Sequence, residues 1–116
     1  MLHTQPLKSN RDFQRLYRRG KSAAHPALVT YVAKNRLGYN RLGLTASKKI
    51  GNAVQRNRAR RIIRQAYLEA EPDLACGYDL VLVARTRTVF LKSTDLVPVL
   101  RGQAKKLGVW AGSANG

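Results

Sequence analysis

Acids are what this sequence most lacks. Six Asp and Glu stand against 22 Lys and Arg, leaving a formal charge of +16 on 116 residues. Asp12, Glu69, Glu71, Asp73, Asp79 and Asp95 are few, and most lie beside turns or helix ends. A self-contained hydrolytic site is not expected from them. Cysteine is nearly missing too: Cys76 stands alone, which excludes a disulfide framework and a Cys-based zinc site and fits a reducing compartment. Its simplest role is a small residue packed near a turn. His3 and His25 lack the short spacing that places two imidazoles on one metal, so no metal site is expected in the chain itself. No run approaches the roughly 20 apolar residues of a bilayer span, and the opening MLHTQPLKSNRDF lacks the apolar stretch of a secretory signal. The expectation is a cytoplasmic chain with no membrane span and no evident obligate protein partner.

What is present is a core and a charge. Hydrophobic residues make up 44% of the chain, enough for one small domain. A compact body this basic repels itself, so a polyanion is its natural partner, either nucleic acid or an anionic membrane surface.

Residues 1–8 read as a flexible lead-in. Ser9 can cap a helix over 10–19, with Asp12 at the positive end of its dipole and Gly20 as the stop. Phe13, Leu16 and Tyr17 share one face of it. Residues 21–24 form a brief extended piece, and 27–34 a strand with Leu28, Thr30 and Val32 on one face and Val29, Tyr31 and Ala33 on the other. Residues 41–47 are a second strand, most simply the antiparallel partner of the first, in which Gly43 suggests a bulge or a close approach. Asn52 can cap a helix running to about Ala70, with Gln55 completing a capping box. Ala59, Ile62, Ile63, Ala66, Tyr67 and Ala70 form its apolar stripe. YDLVLVA at 78–84 suits a central strand buried on both faces. A basic connection over 85–92 leads to a last helix over about 94–106, which Pro98 and Gly102 threaten to kink and Gly108 ends. The domain is thus bounded at 9–107, with 108–116 a flexible tail in which Trp110 can dock.

The densest signal lies at 48–64, KKIGNAVQRNRARRIIR, which contains no acid. A charge run is ordinarily a solvated helix face. Here Arg56 and Arg58 sit at the positive end of the helix dipole, and Glu69 and Glu71 at the negative end, each placement costing about 0.3–1 kcal/mol when exposed. Like charges at i, i+4, such as Arg56/Arg60 and Arg60/Arg64, add about 0.2–0.5 kcal/mol per pair. Phosphates would neutralise both costs, and arginine grips phosphate oxygens in pairs where lysine is a point charge. Small Ala and Ile opposite the basic face suit packing on a sheet rather than a membrane surface. Nothing resembles a helix-turn-helix, zinc finger or basic zipper. RNA is the favoured ligand, with Phe13, Tyr17 and Tyr31 either stacking on unpaired bases, as is typical of single-stranded RNA, or packing helix against sheet.

Lys48-Lys49-Ile50-Gly51-Asn52-Ala53-Val54-Gln55-Arg56-Asn57-Arg58, continuing through Arg60, Arg61 and Arg64 to Gln65-Ala66-Tyr67, strongly resembles the RNR signature of the bacterial ribonuclease P protein family. DFQRLYRRG at 12–20, LGLTASKK at 42–49 and YDLVLVAR at 78–85 agree in order and spacing. The resemblance covers about 7–107. It implies a single-domain α+β fold ordered α-β-β-β-α-β-α, similar to the second domain of ribosomal protein S5, with 21–24 as first strand. It also implies a left-handed β-α-β crossover, against the usual preference. Pro98, Gly102 and the short, weakly basic tail are departures. The function implied is that of the non-catalytic protein half of a ribonucleoprotein endonuclease removing the 5′ leader of precursor tRNA. Catalysis would belong to ribonuclease P RNA, whose phosphates hold Mg2+ ions that activate water and stabilise the leaving oxygen, with no organic cofactor. By motif match, Lys48, Lys49, Asn52, Arg56, Asn57, Arg58, Arg60, Arg61 and Arg64 would contact that RNA, and Phe13, Tyr17 and Tyr31 would line a leader cleft. A structural ribosomal-type protein or RNA chaperone is the competing reading, and a stand-alone nuclease the third.

Overall fold

Tyr78–Ala84 (β5) is the pivot of the fold. Leu80, Val81 and Leu82 are all buried, so consecutive side chains on opposite faces both need cover and the strand needs a neighbour on each side. The computed structural model, which describes residues 2–111, provides all of these. β5 pairs antiparallel with Leu28–Lys34 (β3) and parallel with Asn40–Thr45 (β4). Lys21–His25 (β2) flanks β3 and Thr4–Pro6 (β1) flanks β4, giving the sheet order β1-β4-β5-β3-β2. Helices Ala53–Ala70 (α2) and Ser93–Leu107 (α3) cover one face, where Leu28, Val32, Leu42, Leu80 and Leu82 meet Ala59, Ile63, Tyr67, Leu96 and Leu100. Asn10–Arg19 (α1) covers the other, around Leu7, Leu16 and Val81.

Three sequence expectations need correction. First, the lead-in at 1–8 contains strand β1, parallel to β4 in the register Thr4↔Asn40. Its anchor is Glu71, 1% exposed just past α2, whose carboxylate accepts from the Leu2 amide (2.8 Å), the His3 amide (3.2 Å) and the Thr4 hydroxyl. The Tyr67 hydroxyl donates to Thr4 Oγ1 at 2.8 Å, and burial pushes that phenol up to about 12, so it remains a donor. Burial would raise Glu71, but the Thr4 hydroxyl and the Leu2 and His3 amides outweigh it and hold its carboxyl below the usual range.

Second, β4 is not the hairpin partner of β3, because β5 inserts between them. The turn after β3 opens around the incoming chain: Asn35 N–H donates to Gly77 O at 2.9 Å. Asn40, fully buried, accepts from Tyr78 N–H at 2.8 Å and donates to Ala75 O at 2.9 Å. Third, the tail begins as structure. Val109 is buried, Ala75 N–H donates to its carbonyl at 2.8 Å, Trp110 bridges to Leu74, and Lys105 Nζ lies 5.0 Å from the Trp110 ring centre. Residues 112–116 lie outside the described residues. Helix α3 runs unbroken through Pro98 and Gly102. Gln103 ties it to the sheet, accepting from the Thr30 hydroxyl at 2.7 Å and donating to Ala23 O and Leu28 O.

Candidate nucleic-acid interface

The basic face of α2 is built by its start. Ser47 Oγ accepts from Lys49 N–H (3.3 Å) to open a 3-10 turn, Lys48–Ile50, which buries Ile50 and leaves Lys48 and Lys49 exposed. Gly51 follows at φ 142°, a conformation other residues avoid, and the Gln55 carboxamide occupies the space a Cβ would need. That carboxamide accepts from Asn52 N–H at 3.0 Å while Asn52 Oδ1 accepts from Gln55 N–H at 2.9 Å, the expected capping box. Asn52, a candidate RNA contact, thus has its side-chain oxygen committed to starting the helix.

Beyond the cap, Ala59, Ile63, Ala66, Tyr67 and Ala70 face the core, and Asn57, Arg58, Arg61 and Arg64 face outward, exposed. Two candidates are less free. Arg56 is half-buried and donates through Nη1 to Gly51 O (2.9 Å), and half-buried Arg60 donates to Asn57 Oδ1 (2.6 Å). Arg64 also borders a groove of about 240 Å³ with Thr4, Pro6, Leu42 and Leu44. Among the described residues no ion pair involves Lys48, Lys49 or any arginine of α2. Part of the reversed charge on α2 therefore has a structural return: Glu71 sits where it does to hold β1, and Arg56 helps close the helix start. What remains uncompensated is Arg58 at the positive end of the dipole, Glu69 at the negative end, and the mutual repulsion of the exposed arginines.

The aromatic candidates lie across the sheet. Phe13 packs directly on Gly43, where a Cβ would fall 2.6 Å from a ring carbon, so the close approach read at Gly43 is that of this ring. Tyr17 meets Tyr31 edge-on with ring centres 5.0 Å apart, and lies 6.5 Å from Phe13. Phe13 and Tyr31 are half-buried against the Leu7, Leu16 and Val81 cluster, whereas Tyr17 stays 38% exposed. The three serve the small core and its surface together. Lys8, Asn10, Phe13, Tyr17 and Thr45 border an open groove of about 300 Å³. Thr45 ends β4, and the chain reaches Lys48 three residues later, so groove and basic turn adjoin the same end of that strand.

Sequence reasoning missed what holds α1 in place. Asp79, fully buried, accepts from Arg15 Nη2 (2.5 Å), Arg41 Nε and Nη2 (2.8 and 2.7 Å) and Asn35 Nδ2 (3.0 Å). Asp12 adds longer ion pairs to Arg15 (3.4 Å) and Arg41 (3.5 Å). Burial would raise the Asp79 carboxyl, but Arg41, Asn35 and Arg15 together hold it below its ordinary value, and Asp79 in turn raises Arg41. The available signal was an acid at the start of an apolar strand, which must find cations if buried. Among the described residues no three His, Cys, Asp or Glu cluster to hold a metal. Cys76 is exposed, its Sγ 3.4 Å from His3 Nδ1, and His25 is held locally, accepting from Ala27 N–H. No helix among the described residues is long and apolar enough to cross a membrane.

Residues 1–108 match the family model for ribonuclease P. The chain is 41% identical over 105 residues to a ribonuclease P protein component of Clostridium botulinum (strain Loch Maree / Type A3), covering 90% of this chain and 95% of that protein. Its likeness to the Clostridioides difficile (strain 630) component is 37% over 107 residues, covering 91% and 94%. The solved RNase P protein of Staphylococcus aureus superposes with a TM-score of 0.78 at 32% identity, over 90% of this chain and 96% of that one. The Thermotoga maritima protein gives 0.74 at 25%, over 89% and 94%. Sequence and fold agree along nearly the whole chain, which belongs to the ribonuclease P protein family.

Proposed function

We propose that this chain, the protein component of a ribonucleoprotein endoribonuclease acting in tRNA 5′ processing, works as an RNA clamp with two faces. On one, Arg58, Arg61 and Arg64 with Lys48 and Lys49 bind phosphates of ribonuclease P RNA. Arg56, Arg60, Asn52 and Asn57 shape that surface. On the other, the groove beside Phe13, Tyr17 and Tyr31 holds the single-stranded leader of precursor tRNA, Tyr17 offering a ring to a base and Lys8 a charge to a phosphate. The clamp screens repulsion between two polyanions and leaves bond cleavage to the RNA. Asp12 and Asp79 are engaged by arginines, and among the described residues no three His, Cys, Asp or Glu come together to hold a metal. Mg2+ is therefore assigned to RNA phosphates, and the cytoplasm to the protein. The observation that carries this reading is an arginine face without one acidic partner among the described residues.

The test is leader removal by ribonuclease P RNA at low magnesium, with and without the protein. Cleavage should rise strongly on adding it. No gain would leave a structural RNA chaperone as the better description, and cutting by the protein without RNA would overturn the division of labour.

A further inference from the structure

The connection between β5 and α3 plays no part in either face described so far, yet it presents the most exposed large apolar residue of the described chain. Phe90 is 82% exposed. It is held out by a stiff turn rather than left on a slack loop. The Thr88 hydroxyl, fully buried, donates to Ala27 O at 2.7 Å and accepts from Arg85 N–H at 2.9 Å. Backbone bonds Thr88 N–H to Arg85 O (2.9 Å), Phe90 N–H to Arg87 O (3.1 Å) and Leu91 N–H to Thr88 O (3.1 Å) close a 3-10 turn, Thr88–Phe90. Val89 inserts into the core beneath α2, and the turn packs against that helix. With residues 88 and 89 pinned inward, the ring that follows has no route to the core.

Basic residues flank Phe90 along the chain. Arg85, Arg87 and Lys92 are exposed, and none forms an ion pair among the described residues. The nearest acid in sequence, Asp95, is occupied accepting from Lys92 N–H at 2.8 Å. A single exposed apolar side chain needs no explanation in general. An aromatic ring displayed by a hydrogen-bonded turn that also carries unpaired cations is a different object: it has the composition of a stacking platform for an unpaired base with phosphates nearby.

We infer that the 85–92 turn is a second contact for ribonuclease P RNA, in which Phe90 stacks on an unpaired base while Arg85 and Arg87 take the adjoining phosphates. The RNA subunit is the occupant because the turn packs on α2, the helix whose outer face is assigned to that RNA. The inference rests on the reading of the α2 face, which it extends sideways.

Equilibrium binding of the full-length protein to ribonuclease P RNA tests it. Phe90→Ala should weaken binding roughly tenfold, with little change in the salt slope because no charge is removed. Phe90→Trp should bind as well or better, and Phe90→Leu should behave like Phe90→Ala, since leucine keeps the apolar bulk but has no π-face. Each variant should melt like the wild type, the ring being outside the core. Full affinity in Phe90→Ala or Phe90→Leu overturns the stacking contact, as does a loss confined to precursor tRNA affinity of the assembled holoenzyme. Arg61→Ala, measured alongside, separates the failures. If it weakens binding and Phe90→Ala does not, only the turn is wrong; if neither does, the α2 face is wrong as well.

Discussion

The two sides of the sheet use arginine in opposite ways. Under α1, Arg15 and Arg41 converge on one fully buried carboxylate, and their charges are consumed by the fold. On α2, Arg58, Arg61 and Arg64 follow one another at three-residue spacing with no acid to meet them. The same side chain is a rivet in one place and an open valence in the other. What decides between them is the position of a scarce acid, because with six acids on the chain most cations must go unpaired. Counting arginines therefore says little about function, whereas mapping which of them face a carboxylate says much.

The strongest way to break this comparison is to remove the rivet. Asp79→Asn keeps the volume but leaves Arg15 and Arg41 only their longer contacts to Asp12, and should cost about 1.5–3 kcal/mol, the range for hydrogen bonds to charged groups. That is a fall of ~10 °C in Tm for a domain of this size, read by calorimetry. The pH dependence has a definite sign. Asp79 and Glu71 both titrate below their ordinary values when folded, so their contribution is full at neutral pH and fades as pH drops below about 4 toward their folded values. Asp79→Asn should flatten that acid limb, and an unchanged limb would show that the cluster contributes nothing.

Next in size is the effect on the open side. Arg61→Ala should weaken binding to ribonuclease P RNA about tenfold, the lower end of a charge-assisted contact. Replacing Arg58, Arg61 and Arg64 together should flatten the dependence of log K on log salt by about 0.7–0.9 for each phosphate no longer neutralised. Arg15→Ala should leave that slope alone. Equal slope changes at Arg15 and Arg61 would erase the distinction between the two sides.

Much of this was legible in the sequence, for reasons that differ by element. The start of α2 was readable because Asn52, Gln55 and Gly51 act on near neighbours, and β5 because the unbroken apolar run Leu80–Ala84 has few uses. The pairing of β4 was not, since the bonds deciding it join Asn35 and Asn40 to residues 75–79, far along the chain. β1 escaped because a three-residue edge strand has no pattern of its own and depends on Glu71, a residue that reads as a misplaced surface acid. The buried cluster at Asp79 was hidden for a similar reason: its partners come from α1, β4 and the turn after β3. Among candidate site residues, sequence identified the outward arginines but could not separate them from Arg56 and Arg60, which fold back onto local oxygens.

The smallest predicted effect is the most discriminating, because the comparison requires a difference in sign. Arg15→Ala removes a donor from a buried anion and must destabilise. Arg61→Ala removes a cation lying between Arg58 and Arg64, each an i, i±3 neighbour, and so relieves two repulsions of about 0.2–0.5 kcal/mol each. Alanine is also the better helix former. The free protein should therefore melt at the same temperature or slightly higher, by up to a few degrees. Sulfate supplies the missing counter-charge, so added sulfate should raise the melting temperature of the wild type more than that of Arg61→Ala. Destabilisation by Arg61→Ala comparable to Arg15→Ala would mean that the α2 arginines are structural after all, and the open face would lose its claim to a ligand.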